Sequence, residues 1–338
     1  MKRTAWLWVA AALLGFQASD VTLRLAAVDT HFAAGATVQA LPLLAAASSA
    51  AVFLRVRRRR RGMQPSDARR QPLDPSRNTP PPISAERSHN RPLPPAPGAR
   101  AWALAALFGV LQFCAGNMLF YASVQLGGLT VATPSVQSQA VWAAVLGGLF
   151  LRERITRTMV AGIIVFSAGI AALTWFKSAG AGFAGDWGWA AAAGLAGGLA
   201  WAGASALQRA CLQRGLPLPE LLAAGSWTGV ALLNLLVFAA FGADVWRTMD
   251  ADAAQKLLAA GCFNAIAVGS LAQALRSIEI SKVIPVIALN IVFNTINGWL
   301  WFDEYVNAGT VAGMLIAFLG VLLVQEPRRA FRAGRGPA

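Results

Sequence analysis

The side chains best placed to do chemistry in this sequence are amides embedded in apolar runs. Asn290, Asn294 and Asn297 fall at i, i+4 and i+7, the spacing of one helix face. Gln139, Gln17 and Asn117 each interrupt another apolar run, and Trp201 is the tryptophan most clearly inside one. A buried amide without a partner costs several kcal/mol in hydrocarbon. These groups must therefore meet each other, a backbone group, water or a bound solute. Two readings stay open. One is interhelical hydrogen bonding, at about 0.6 kcal/mol per bond. The other is a polar lining for a solute cavity, with Gln139, Asn290, Asn294, Gln17, Trp201 and Asn117 as the candidate residues.

Ionisable groups in the runs are fewer. Asp20 precedes Arg24 by four residues, so a local ion pair at the outer end of its helix competes with a proton- or substrate-coupled carboxylate. Glu153 and Glu304 stand at helix ends, where turn or gate roles are expected. No carboxylate stands alone at the membrane midplane, so proton coupling is suggested by class only. The two histidines, His31 and His89, belong to no H-E-x-x-H, and no G-x-S-x-G occurs. The three cysteines have no metal or disulfide spacing. No enzyme activity, metal or cofactor is expected.

The elements that carry these residues follow from composition. Of the residues 56% are hydrophobic and 13% charged, against about 25% charged in a soluble domain. The mean hydropathy is +0.52. A bilayer core of about 30 Å needs roughly 20 apolar residues as helix. Such segments lie at 4–27, 32–54, 101–121, 131–151, 158–176, 187–208, 220–243, 257–275, 282–301 and 305–324. Lys2 and Arg3 ahead of the first could mark a signal peptide, but the run continues to Ala27 without a clean A-x-A site.

With the N-terminus in the cytoplasm, 25 of the 29 basic residues face inward, leaving Arg24, Lys177, Arg247 and Lys256 outside. Both termini are thus expected on the cytoplasmic side of the inner (plasma) membrane. The segment 55–100 holds ten of the seventeen prolines and the run Arg57 to Arg61. It reads as a disordered cytoplasmic loop touching anionic lipid head groups. Nucleic acid is not an expected partner, because no aromatics interleave with the arginines.

A shift of 151 aligns 134–169 with 285–320 without a gap. Pro134 falls on Pro285, Gly147 on Gly298, Glu153 on Glu304 and Gly169 on Gly320. Gln139 falls on Asn290, which predicts that the two face each other across a pseudo-two-fold axis. The turn after the fourth run is basic (Arg152, Arg154, Arg157) and its counterpart after the ninth is acidic (Asp303, Glu304). The charge flips while the apolar pattern repeats, as inverted topology requires. The expected fold is all-α, with ten transmembrane helices as two inverted five-helix repeats at 1–178 and 179–326 and a basic tail at 327–338.

The segments 149–173 (LFLRERITRTMVAGIIVFSAGIAAL) and 300–323 (LWFDEYVNAGTVAGMLIAFLGVLL) resemble the end of an EamA domain. The stretches 121–135 and 275–286 look like that family's short turn into a helix with an early proline. Two such domains in tandem characterise the drug/metabolite transporter superfamily. The resemblance implies an exporter-like bundle whose central cavity is lined by its first, third, fourth, sixth, eighth and ninth helices. It implies secondary transport of small metabolites or drug-like compounds as efflux, as a monomer or homodimer. A lipid-handling flippase or a membrane adaptor using the basic loop is the alternative.

Overall fold

The computed structural model describes residues 2–27, 30–62, 98–151, 156–180, 186–247, 249–274 and 286–325. Glu153, most of the basic segment (63–97) and the C-terminal tail lie outside the described residues. The described residues form helices and their connections. These are α1 (Lys2–Ala27), α2 (Phe32–Gly62), α3 (Ala99–Gly109), a π-helical segment (Val110–Gly116), α4 (Asn117–Val136), α5 (Gln139–Leu151) and α6 (Arg157–Gly180). Then follow α7 (Trp187–Gln213), α8 (Leu218–Phe241), the short α9 (Asp244–Arg247), α10 (Ala251–Ala274), α11 (Asn290–Phe302) and α12 (Ala308–Gln325). Among the described residues, seven segments are long and apolar enough to cross a membrane, and 286–302 and 308–324 are shorter apolar helices.

One of the seven runs from Ala99 to Leu146, 48 residues, far beyond what one crossing needs. It folds back on itself at Gly128, whose φ of 68° and ψ of −176° lie where only glycine sits without strain. Packing on α7 shows the reversal. A Cβ placed on Gly194 would meet both Ser123 and Ser135, before and after Gly128. Its neighbours divide likewise, with Gly197 against Gly116 and Phe120 and Gly198 against Val136 and Ser138. The expected turn between the third and fourth runs thus shrinks to one residue. A second break, at Gln137–Ser138, follows Pro134, which has no N–H to continue the helical ladder.

Small residues set the helix pairs. On α6 and α12, Gly162 faces Gly320 and Val324, Gly169 faces Ala317, and Gly313 faces Leu173. A Cβ at any of these would approach the partner within 3 Å, so the backbones meet at the distance that small-xxx-small stripes allow. On α3 and α8, Gly109 opposes Gly225 and Gly229. The main neighbours are α1 with α10, α4 with α7, α2 with α8 and α6 with α12. Large apolar side chains such as Leu14, Ile164, Trp189, Leu235 and Trp301 point outward, the inverse of a soluble protein and the surface that lipid requires. Helix α2 continues to Gly62, so Arg55 to Arg61 extend a helix where a loop was expected. Arg55 there lies 3.7 Å from Glu220 at the start of α8.

Candidate functional site

The six sequence candidates divide in the structure. Helices α1 and α11 bring Gln17, Asn290 and Asn294 into one network. Gln17 Nε2 donates to Asn290 Oδ1, and Asn297 Nδ2 donates to Gln17 Oε1 at 2.8 Å. The spacing of the three asparagines does face them to one side of α11, and that side meets α1. At the centre lies Asp20, one turn beyond Gln17. Its Oδ2 accepts from Asn290 Nδ2 at 3.1 Å and from Asn294 Nδ2 at 2.6 Å. Asn294 Nδ2 also donates to Thr133 Oγ1 at 2.9 Å, adding α4. Asn294 is 0% exposed, and Asp20, Asn290 and Thr133 are buried with it.

The expected pairing of Gln139 with Asn290 is corrected by these contacts. The described hydrogen bond of Gln139 is to Gln137 Oε1 at 3.5 Å. The physical reason is helix packing: α5, which Gln139 opens as Asn290 opens α11, lies mainly on α7, whereas α11 lies on α4 and α1. Thr133 on α4 is therefore the residue that meets α11. Trp201 stands apart from the network. Its indole N–H donates to the Gln112 carbonyl at 3.2 Å, and its ring packs on Phe120. Gln112 lies in the π-helical segment, whose wider ladder accompanies this outside donor, and Gly116 lets the indole lie against the backbone. Asn117, half-buried just beyond that segment, contributes its side chain to none of the described hydrogen bonds.

The Asp20–Arg24 ion pair is also corrected. Asp20 takes amides, and Arg24 turns away to Glu304, with Nε 3.6 Å from Oε1, and to the Val124 carbonyl. Glu304, in the connection between α11 and α12, is the centre of a second cluster. Its carboxylate accepts from the backbone N–H of Leu129 at 2.8 Å and of Thr130 at 3.0 Å, and from the Thr130 hydroxyl. Lys177 Nζ, 1% exposed, donates to it at 3.1 Å. The two N–H groups are free because the helix restarts after Gly128, and a restarting helix has unpaired donors and a positive end. Glu304 caps it from a distant part of the chain. Burial alone would raise its carboxyl. The Lys177 ammonium, the Thr130 hydroxyl and the two backbone donors outweigh that and hold it below the ordinary carboxylate range.

Sequence reasoning missed Thr133 and Lys177 and gave Glu304 only a turn or gate role. One signal was available. Arg24 and Lys177 are two of only four basic residues on the face expected to be poor in them, and Glu304 is an acid on that same face.

A family profile described as the EamA-like transporter family matches residues 88–175 and 188–325. A solved crystal structure aligns over 98% of this chain and 99% of its own, at 16% identity and a TM-score of 0.52. That likeness is one of fold. No curated protein matches the sequence.

Proposed function

The chain belongs to the EamA-like transporter family, and from that premise we propose that it exports small metabolites or drug-like compounds across the inner membrane by alternating access. The carrying observation is the Gln17–Asp20–Asn290–Asn294–Thr133 network. It is a buried polar centre within the bundle, and it joins the first helix of one half to a helix of the other. Intramembrane polar groups placed where two repeats meet are the usual position of a transport site. Gln139, Trp201 and Asn117 are assigned to the wall of the same pathway on the α4–α7 side.

Ten crossings, with both termini in the cytoplasm and repeats at 1–178 and 179–326, suit the described contacts. Seven apolar segments, one of them doubled at Gly128, and two shorter helices add up to that architecture. In it, the ends of the first, third, fifth and ninth crossings share the outer face, and Arg24, the Gly128 turn, Lys177 and Glu304 do meet. The helix pairs also exchange under the repeat: first with eighth as sixth with third, and second with seventh, and fifth with tenth, across the axis. The Glu304 cluster then acts as a closed outer gate, with the polar centre sealed beneath it.

Coupling to the proton gradient, contact of the Arg-rich extension of α2 with anionic lipids, and a monomeric or dimeric state complete the proposal. A lateral apolar groove of about 460 Å³ between α6 and α7, lined by Phe166, Ile170, Trp175, Ala191 and Leu195, favours the second reading, lipid handling. A metabolite and toxicant export screen in cells overproducing the protein tests the first. Export that Gln17→Ala and Asn290→Ala alter, with membrane insertion intact, is the expected result. Unchanged flux and unchanged specificity in both variants overturn the site. Lipid translocation lost on deleting 63–97, with no solute export, overturns the transport reading in favour of the second.

A further inference from the structure

We infer that the Asp20 cluster binds a compact cationic group, the protonated amine of the transported solute; this rests on the transport reading above. The carboxylate of Asp20, 9% exposed, is met by neutral donors alone, the amides of Asn290 and Asn294, and both reach Oδ2. Its Oδ1 receives none of the described hydrogen bonds. No cation among the described residues pairs with it, since the nearest candidate along α1, Arg24, is committed to Glu304 and Val124. Beside it the Oδ1 of Asn294, on the same amide whose Nδ2 touches Asp20, is buried and accepts from nothing among the described residues.

The cluster is therefore rich in acceptors and poor in positive charge. A buried charge without a counter-charge and a buried acceptor without a donor are each costly. A primary ammonium relieves both at once, because it brings a positive charge and three N–H donors. Its donors match the two oxygens that receive none of the described hydrogen bonds, Asp20 Oδ1 and Asn294 Oδ1. A metal ion suits the arrangement less well. Hard cations need several converging oxygens, whereas both amides here present N–H to Asp20, and Gln17 Oε1 is already taken by Asn297. The binding group would touch α1 and α11, one from each half, so its arrival and departure bear on how the halves pack.

The test titrates n-propylammonium into the full-length protein in detergent at fixed pH and ionic strength, read by thermal unfolding. Propanol, propionate and NaCl serve as neutral, anionic and metal-ion controls. The expected result is a saturable rise in Tm with propylammonium and none with the controls, and a half-saturation at least tenfold weaker in Asp20→Asn. If Asp20→Asn does not fold, Asn294→Leu, which removes the orphaned oxygen and keeps the carboxylate, is expected to weaken the response by the same factor. Equal responses to propylammonium and propanol, wild-type behaviour of the variants, or a saturable response to NaCl each overturn the assignment. The two readings fail separately. Flux of an amine-free solute that depends on Gln17 and ignores propylammonium removes the cation site and leaves transport standing. Propylammonium binding without flux of any amine keeps the site and removes transport.

Discussion

Replacing Glu304 by glutamine should loosen its cluster more than removing either cation does. Glutamine keeps the shape but deletes the charge, and its NH2 faces at least one N–H that the carboxylate satisfied, at Leu129 or Thr130. Lys177, 1% exposed, and Arg24 are left as two like charges around a neutral group. Breaking a buried pair from one side costs about 3–5 kcal/mol. Lys177→Met, by contrast, leaves Glu304 with Arg24 and the helix end, so its cost should be smaller. About 4 kcal/mol corresponds to roughly a thousandfold rise in the open population. Hydrogen exchange read on peptides covering 120–136 reports this directly, because the amide protons of Leu129 and Thr130 are the ones Glu304 holds. Exchange in Glu304→Gln within a few-fold of wild type, or a larger effect from Lys177→Met, would refute the reasoning.

Acid should spare the same cluster. Because Glu304 is held below the ordinary carboxylate range, its contribution is complete at neutral pH and is lost only as pH falls through its own lowered value. Protection of Leu129 and Thr130, corrected for intrinsic exchange, should persist below the pH at which a free glutamate protonates. Gly128→Ala places a Cβ 2.0 Å from Glu304 Oε1 at a φ of 68°, and a loss of about 1–3 kcal/mol from the backbone alone should appear in thermal unfolding. Gln17→Ala and Asn290→Ala should change export or solute preference more than Gln139→Ala does, measured as accumulation in cells. Trp201→Phe removes the donor to the Gln112 carbonyl and should cost about 1 kcal/mol, seen as a lower unfolding midpoint.

The sequence made the helices legible because membrane spans depend on composition, and composition is local. The face shared by Asn290, Asn294 and Asn297 was legible for the same reason, since helical spacing alone places it. The partner of each polar group was not. Asp20 has both Arg24 at i+4 and, 270 residues away, Asn290. Local spacing favours the first, and the tertiary fold chose the second because Glu304 competes for Arg24. Gln139 aligned with Asn290 in the repeat, and each opens its helix, but α5 packs on α7 while α11 packs on α4, so Thr133 took the contact. Lys177 read as a charge on the outer face, and only the tertiary packing shows it to be buried.

The cap on the helix that restarts after Gly128 has a consequence for biosynthesis. The acceptor for the Leu129 and Thr130 amides is 175 and 174 residues further along the chain. While the polypeptide is being inserted, those donors lack this acceptor until the connection after α11 has been made. The first half by itself lacks this cap, and an isolated fragment ending near Gly180 should be less stable and more readily degraded than the same segment with the second half supplied in trans.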